Sequence, residues 1–372
     1  MERQEIVKIF LDKGFMIDNE SLDFFSNNQS LVQPFFDSYY ELKNKTGSIN
    51  LAVVHELLKI KPSGIQILKV AKKKNKISVA DQSSFLNRRY ESIRKVMNGR
   101  LDLINLVSIN KISQRSKKFS LIGIVKEKND ETKSLVLEDT TGTTEIFFSE
   151  NFLSDYNSIL HDDILGFICS NEFGRCNYLK TVWPDIPLSR EVKKAKESHK
   201  CIFASISNEA NLSKLIDWLK KSIDDKTSLF LFTPTESDHN IRQMIKELPT
   251  VEKYHIIGTS IISFSNLTFF LSTSSIYKKY QDFFNATPDV TLINLLKRRS
   301  MNPSMDFDRS VYEEDPFVLA EIPDVVAVSS FNTRSVSNYK GTNILALEDF
   351  STNNSALIFD SKTREVINVK VL

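Results

Sequence analysis

Histidine and cysteine, two of the residue types that most often bind transition metals, are scarce in this chain. It has five histidines and three cysteines in 372 residues, and no two cysteines have the Cys-x-x-Cys spacing of a zinc site. Cys169 and Cys176 could face each other across a hairpin, although reduced thiols are the expected state in a cytosolic protein. No ligand motif contains any of the histidines, which are His55, His161, His199, His239 and His255.

Long apolar runs are also missing. No stretch approaches the roughly 20 apolar residues that a membrane-spanning helix needs. The first residues, "MERQEIVKIF", include acidic side chains and no apolar signal-peptide core. We therefore expect a cytoplasmic protein without membrane contacts. Apolar residues make up 41% and charged residues 26% of the chain, as in ordinary globular proteins of two or three domains.

Positive charge is concentrated in one part of the chain, although the net charge is only +2. Residues 59–118 hold 16 lysines and arginines but only three acidic residues. This asymmetry indicates a polyanion or an acidic protein surface as partner, and a solvated linker explains it equally well. The candidate nucleic-acid-binding residues are Lys72, Lys73, Lys74, Lys117, Lys118, Lys126 and Lys128.

The first hundred residues are predicted to form a helical domain and a linker. Within residues 1–65, four segments have apolar residues at helical spacing, bounded by capping residues and glycines. They predict a small helical bundle. Residues 66–100 begin with the charged string "KKKNK" and continue with a helical pattern around "NRRYESIRKVM". We predict a flexible basic linker followed by a helix.

Two further domains are predicted from strand patterns. Residues 101–185 contain short alternating strands, a Gly142 turn and one helix between the third and fourth strands, which predicts an OB-fold β-barrel. OB folds often bind single-stranded nucleic acid, but this segment lacks a dense aromatic stripe, which favours a structural role. Residues 186–372 alternate strands and helices, with a clear amphipathic helix in "ANLSKLIDWLKKSI".

Several strings between residues 137 and 366 carry a resemblance to a known family. They are "LEDTTG", "WPDIP", "LKRR", "EIPD" and "DSKTREV". Together they resemble the small, B-type subunit of archaeal family-D DNA polymerases. The resemblance implies that residues 186–372 form a calcineurin-like phosphoesterase domain, a β-sandwich flanked by helices. The whole chain is then a multidomain α+β protein that also contains the helical bundle and the OB barrel.

The family's metal-binding motifs are altered wherever they can be placed. The family has Asp-x-His, Gly-Asp, Gly-Asn-His-Asp and Gly-His-x-His at the ends of four strands. The corresponding positions in this chain are Ser205, Ser207, Pro234, Thr259, Ser260, Ser330 and Asn332. Hydroxyl and amide side chains are poor ligands for the two ions of such a centre. We therefore predict a degenerate site without metal or other cofactor. His239, beside Asp238, is the only other candidate, and a solvated loop is favoured there.

The resemblance also implies a role. It favours a non-catalytic accessory subunit that supports a large catalytic polymerase subunit in DNA replication and meets DNA through that complex. The family's 3′–5′ exonuclease activity is predicted to be lost, so catalysis by this chain alone stays uncertain. Two alternatives remain: an exonuclease with atypical metal ligands, and a separate single-strand DNA-binding module. An independent paralogue is also compatible with the sequence.

One short motif points to a further partner. Gln29, Val32, Phe35 and Phe36 match the Gln-x-x-aliphatic-x-x-aromatic-aromatic pattern of peptides that bind sliding clamps. Such a peptide must be exposed, because its aliphatic and aromatic side chains insert into a pocket of the clamp. Here the pattern lies inside a predicted helical bundle, and the core interpretation of the two phenylalanines is favoured.

Overall fold

The architecture is taken from a computed structural model of the chain. It describes residues 3–27, 29–40, 48–49, 53–54, 64–113, 117–207, 209–222, 226–233 and 252–371. The chain divides into two compact units, Met1–Gly64 and Ile65–Leu372. Each unit is described by itself.

The first unit is built around aromatic side chains. Its described helices are α1 (Arg3–Asp12), α2 (Asn19–Asn27) and α3 (Val32–Tyr40), and β1 (Met16–Ile17) pairs in parallel with β2 (Ser48–Ile49). The buried core includes Phe10, Phe25, Phe35, Phe36 and Tyr39. Most of the fourth helix predicted within residues 48–64 lies outside the described residues.

The residues of the sliding-clamp motif form part of this core. Val32 is 6% exposed, and Phe35 and Phe36 are fully buried. The Phe35 and Phe36 rings lie 5.5 Å apart at 69° and both contact Phe10. This burial favours the core interpretation of the two phenylalanines, and a sliding-clamp contact stays a prediction.

The second unit begins with a strand where a flexible linker was predicted. β3 (Gln66–Val70) pairs antiparallel with residues 260–263, almost 200 positions away along the chain. Helix α4 (Val79–Met97) follows and begins with a capping box, in which Ser78 and Asp81 bond to each other's backbone. Lys74 donates to Asp81 at 2.8 Å. The basic segment thus contains regular structure, namely the strand β3 and the helix α4.

A closed five-stranded barrel follows. Its strands are β4 (Lys118–Asn129), β5 (Ser134–Asp139), β6 (Gly142–Phe147), β7 (Ile164–Glu172) and β8 (Arg175–Val182). They are arranged in the order β4-β5-β6-β8-β7, and β7 closes the barrel by pairing with β4. Helix α5 (Leu153–Ser158) lies between β6 and β7 in the chain. Inward side chains such as Phe119, Leu137, Phe167 and Tyr178 fill the interior.

The rest of the unit contains two sheets. In chain order the elements are β9 (Lys200–Ser205), α6 (Glu209–Ser222), β10 (Thr227–Phe232), β11 (Glu252–Ile256), β12 (Thr259–Phe264), β13 (Leu267–Ser272), α7 (Ile276–Phe284), α8 (Pro288–Lys297), β14 (Val325–Val328), β15 (Ser335–Tyr339), β16 (Thr342–Ala346), α9 (Phe350–Asn353), β17 (Ser355–Asp360) and β18 (Val366–Lys370). The five-stranded sheet has the order β11-β10-β9-β17-β18. The six-stranded sheet has the order β15-β16-β14-β13-β12-β3.

The two sheets pack face to face as a sandwich. Phe203 and Phe230 from one sheet contact Phe269 from the other, with ring centroids 6.4 and 5.6 Å apart. Helix α6 covers the outer face of the five-stranded sheet through Leu212, Leu215 and Leu219, and α7 and α8 cover the six-stranded sheet. The coarse prediction of a mixed α and β chain with a barrel and packed sheets is therefore confirmed. None of the helices described is long and apolar enough to cross a membrane.

A buried arginine joins the barrel to the sandwich. Nε of Arg298, directly after α8, donates to both carboxylate oxygens of Asp163 at 3.0 and 3.1 Å. Arg298 is 3% exposed and Asp163 is fully buried. The other guanidinium nitrogens donate to the carbonyl oxygens of Asn294 and Ser158, and the group lies 4.6 Å from the Trp183 ring centroid. Burial raises the pKa of Asp163, and the attraction of Arg298 opposes this effect.

Further charged contacts involve other strings of the family resemblance. Lys340 donates to Asp185 of "WPDIP" at 2.6 Å. Asp324 of "EIPD" accepts from Arg190 at 2.7 Å and lies 3.7 Å from Arg364 of "DSKTREV". Two of the strings that resemble the polymerase family, "WPDIP" and "LKRR", therefore contribute ion pairs between the barrel and the sandwich. Two others, "EIPD" and "DSKTREV", contribute charged contacts within residues 186–372.

Replacing Arg298 with alanine should destabilise the second unit by about 3–5 kcal/mol, because Asp163 would be left buried without its partner. Urea unfolding followed by circular dichroism measures the change. The matched control is Arg309→Ala, whose exposed side chain has no ion pair among the described residues. If the two variants had equal free energies of unfolding, the buried pair would not stabilise the second unit.

A second polar contact links the barrel to the sandwich through a histidine whose pKa is raised. His161 Nδ1 lies 3.4 Å from carboxylate oxygens of both Asp162 and Asp306. Asp162 also accepts from the backbone amide of Met305 at 2.9 Å. The contact with Asp162 is the main reason that the pKa of His161 rises to about 9.

Because the folded-state pKa of His161 is raised above its ordinary 6.5, its contribution to stability is complete below that value. It is lost as the pH rises towards about 9. The unfolding free energy of the wild type should therefore fall more over this window than that of His161→Gln. Parallel pH profiles of the two proteins would show that the histidine contributes nothing.

Candidate functional site

A polar cavity of about 660 Å³ lies at the carboxyl ends of β9, β13 and β14. β13 and β14 run parallel, so the segments that follow them emerge at the same edge of the sheet. Such edges are common ligand sites in sheets with parallel strands. The cavity is lined by Ala71, Lys73, Ser205, Ser207, Ile257, Gly258, Thr259, Thr273, Ser274, Ser275, Lys278, Tyr312, Phe317, Ser329, Ser330, Phe331, Asn332, Asp349 and Ser351.

Five of the seven predicted degenerate positions line this cavity: Ser205, Ser207, Thr259, Ser330 and Asn332. Ser260 is the next residue along β12 and is buried, but it is not part of the lining. Pro234, like Asp238 and His239, lies outside the described residues. The fold thus brings together positions that span more than 120 residues of sequence.

Backbone pairing explains why these residues converge. Ser205 ends β9 and forms an isolated bridge with Asp349. The Ser329 amide donates to the Ser272 carbonyl at 3.0 Å, which continues the pairing of β13 and β14. Gly258 has φ +83°, a conformation that favours glycine, and its amide donates to Thr273 Oγ1 at 2.8 Å. These contacts fix the segments that end β9, precede β12 and follow β13 and β14, all of which line the cavity.

The hydroxyl groups of the cavity are of two kinds. Thr259 Oγ1 and Ser272 Oγ bond to each other at 2.7 Å, and Ser272 Oγ also accepts from the Ser274 amide at 3.2 Å. By contrast, Ser329 Oγ and Ser330 Oγ are buried and have no hydrogen-bond partner in the described part of the chain. Since most buried polar groups are hydrogen-bonded, these two hydroxyls require an explanation.

The charges around the cavity favour anions over cations. Lys73 and Lys278 are exposed at its border. Among the described residues, Asp349 is the one carboxylate in the lining, and it accepts from the Ser351 amide at 2.9 Å as the cap of α9. Burial, followed by a hydrogen bond to Asp308, raises the pKa of Tyr312, so its phenol stays neutral.

These side chains do not fit a two-metal centre. Manganese and zinc need imidazoles and ionised carboxylates, whereas this cavity offers hydroxyls, one amide and one carboxylate, beside two ammonium groups. Within the ranges that the structure describes, no three histidine, cysteine, aspartate or glutamate residues are close enough to hold a metal ion. The absence of a bound metal or cofactor stays a prediction, because residues 234–251 are not described.

The predicted nucleic-acid-binding lysines are distributed over the second unit. Lys117 and Lys118 are exposed at the start of β4, and Lys72 is exposed after β3. Lys126 pairs with Glu138 at 3.2 Å, and Lys74 pairs with Asp81. The structure therefore does not gather these residues into one groove.

Lys128 requires a correction. Its ammonium group donates to the carbonyl oxygens of Tyr156 and Ile159 at 3.0 and 2.6 Å, and desolvation lowers its pKa. A half-buried lysine with these partners supports the barrel and is not available to a DNA strand. Sequence reasoning assigned Lys73 to DNA and did not consider Lys278, although its place in the first turn of a helix after a strand is visible in the sequence.

One curated relative agrees with the motif resemblance. The DNA polymerase II small subunit of Pyrococcus furiosus is 24% identical over 174 residues, which cover 41% of this chain and 28% of that protein. This similarity confirms the predicted resemblance to the family, although the match spans little more than a quarter of the relative's length. No protein-family model matches the chain.

Solved structures were also compared. An archaeal phosphodiesterase has 10% identity and a TM-score of 0.28, with coverage of 46% of this chain and 98% of its own. Vps29 of Entamoeba histolytica in complex with zinc has 7% identity and a TM-score of 0.23, with coverage of 46% and 99%.

The side chains that line the cavity predict that it does not bind manganese. We expect the melting temperature of the full chain to be the same with Mn²⁺ and with EDTA, because a ligand stabilises a protein only when it binds the folded state. Differential scanning fluorimetry measures this. A rise that is specific to Mn²⁺, and is lost in Ser330→Ala/Asn332→Ala, would contradict the assignment of a degenerate site.

Proposed function

We propose that this protein is a non-catalytic small subunit of an archaeal family-D DNA polymerase, which supports a large catalytic subunit in DNA replication. One observation carries the proposal. Strings that resemble the family build the contacts of the barrel with the sandwich, including Arg298 of "LKRR" and Asp185 of "WPDIP". The described cavity residues, in contrast, form no metal-ligand set. Selection on such a chain would act on its shape.

We also propose a fold family for each part of the second unit, the barrel and the sandwich. The barrel order, first-second-third-fifth-fourth with a helix between the third and fourth strands, supports an OB fold. The sandwich with helices on both outer faces supports a degenerate calcineurin-like phosphoesterase domain. The proposed organisation keeps the four predicted segments, 1–65, 66–100, 101–185 and 186–372, with β3 as a strand of the sandwich.

The proposed mechanism is architectural. The barrel and the sandwich share a buried ion pair and further charged contacts, so they present one rigid surface to a partner. In the family that this chain resembles, the partner is a zinc-bearing C-terminal region of the catalytic subunit. DNA would be contacted through the complex in the cytoplasm, and the sliding-clamp contact through Phe35 and Phe36 is not part of the proposal.

Reconstitution with the large subunit tests this role. The full chain, expressed with the family-D catalytic subunit of its native cell, should elute with it as one complex in size-exclusion chromatography. The complex should polymerise DNA, and the chain alone should not. The Arg309→Ala variant is the matched control for Arg298→Ala, which should weaken assembly because it disturbs the junction.

An exonuclease assay separates the accessory role from the enzymatic alternative. We expect no 3′–5′ degradation of DNA by the isolated chain with Mn²⁺. Degradation that is abolished by Asp238→Asn/His239→Gln would overturn the non-catalytic role. Failure of the chain to associate with any polymerase subunit in its native cell would overturn the assignment to the polymerase.

A further inference from the structure

The proposed accessory role does not use the basic segment that contains β3, and apolar side chains of this strand are exposed. β3 is an outermost strand of the six-stranded sheet and pairs with β12 alone among the described strands. Ile67 is 58% exposed, Leu68 49% and Val70 37%. An exposed apolar strand at the edge of a sheet is a template on which another extended chain can pair. The edge of β3 therefore has the properties of a docking site.

The open part of this edge is limited to β3 itself. Directly after the strand, Lys73 forms a bridge with Tyr312, and the Glu313 amide donates to the Lys72 carbonyl at 3.0 Å. A neighbouring segment thus pairs with the chain beyond the strand. No second segment pairs with Gln66–Val70 in the part of the chain that the structure describes. Five residues is an ordinary strand length, so one short strand fits along the open edge.

Positive charge surrounds the open edge. Lys69 lies within the strand, and Lys72, Lys73 and Lys76 follow it with exposed side chains. Lys74 is the exception, because it forms an ion pair with a carboxylate of α4. A partner that carries acidic side chains would therefore be attracted to this edge.

Two carboxylates beside the strand do not cancel this charge. Glu313 and Glu314 line a cavity of about 170 Å³ together with Lys69 and Arg88. These two basic side chains match the two carboxylates in number. The three exposed lysines that follow the strand therefore remain as an excess of positive charge.

We propose that the open edge of β3 binds an extended acidic segment of a partner protein, which adds a seventh strand to the six-stranded sheet. Backbone hydrogen bonds to the edge would supply affinity, as in other cases of strand addition. Apolar side chains of the partner would contact Ile67, Leu68 and Val70, and its carboxylates would meet the lysines. Acidic and apolar residues in alternation suit this role, because successive side chains of a strand point to opposite faces.

The chemistry of the edge favours a peptide over two other occupants. Single-stranded nucleic acid binds through stacking of its bases on aromatic rings, whereas the exposed apolar side chains of β3 are aliphatic. A second copy of this chain fits less well, because pairing of two β3 edges would bring lysines of the same charge together.

A synthetic peptide tests the inference without the accessory role, because binding is measured on the isolated full chain. The labelled probe has about ten residues, in which glutamate and valine alternate, so that it exceeds the length of the open edge. Control probes replace glutamate with lysine, or alternate valines with proline, which cannot donate to a strand. Oligothymidylate is the nucleic-acid probe.

Fluorescence anisotropy should show binding of the glutamate–valine peptide and little or none of the other probes. Equal or tighter binding of oligothymidylate or of the lysine–valine peptide would overturn the proposal. Absence of binding by the glutamate–valine peptide would overturn it as well. A dimer that forms without peptide and dissociates when Ile67 is changed to serine would assign the edge to self-association instead.

Hydrogen–deuterium exchange locates the bound peptide. The peptide should slow amide exchange in Gln66–Val70, because amides that enter a new strand pair are protected from solvent. The comparison is β18, an outermost strand of the five-stranded sheet, whose exchange should not change. Equal protection of both strands, or none of β3, would contradict docking at this edge.

Reversal of charge tests the contribution of the lysines. Lys72→Glu/Lys76→Glu should weaken binding of the glutamate–valine peptide about tenfold at low ionic strength, because attraction becomes repulsion. The matched control is Lys362→Glu/Lys370→Glu, which reverses two exposed lysines just before and at the end of β18. Equal losses in the two double variants would show that only the net charge of the protein matters.

Removal of an apolar side chain separates strand docking from charge attraction. Ile67→Ser should weaken binding roughly fivefold, because less apolar area leaves water in the complex. Ile367→Ser is the matched control, since Ile367 is 57% exposed on the edge strand β18. Melting temperatures show whether both variants stay folded. Unchanged affinity in a folded Ile67→Ser variant would contradict the docking of an apolar strand.

Discussion

The second unit depends on a charge pair that is almost completely withdrawn from water. Arg298 and Asp163 belong to the sandwich and the barrel, and neither charge could be buried at acceptable cost without the other. The arginine uses its remaining donors on the carbonyl oxygens of Asn294 and Ser158, while Trp183 covers one face. Because a guanidinium is planar and directional, it fixes orientation as well as contact.

The need to pair buried charges also explains why strings with charged residues carry the resemblance to the family. Asp185 and Asp324 each bind a basic side chain from a distant part of the second unit. A change at such a position would leave a buried or half-buried charge without its partner. The described lining of the cavity contains no buried ion pair of this kind, so a fold can keep its shape while its site chemistry changes.

The cavity is consistent with the proposed loss of metal chemistry. Its described lining offers mainly hydroxyl groups, and lysines lie at its border. Some of these hydroxyls, such as those of Thr259 and Ser272, are used to tie strands together. Others, at Ser329 and Ser330, have no such use in the described residues. Some hydroxyl groups of the site thus stabilise the strands, and others make no hydrogen bond among the described residues.

Local patterns in the sequence determined the elements that depend on neighbouring residues. The apolar spacing of Leu212, Leu215 and Leu219 sets helix α6, and alternation sets the barrel strands. The family motifs also placed Ser205 and Ser330 at strand ends, because the end of a strand is indicated by residues that are neighbours in the sequence. Tertiary structure alone decided that β3 joins a sheet, since its partner β12 is almost 200 residues away. It also decided that Lys278 and Lys73 border one cavity and that Phe35 is core, because proximity and burial depend on how distant segments pack.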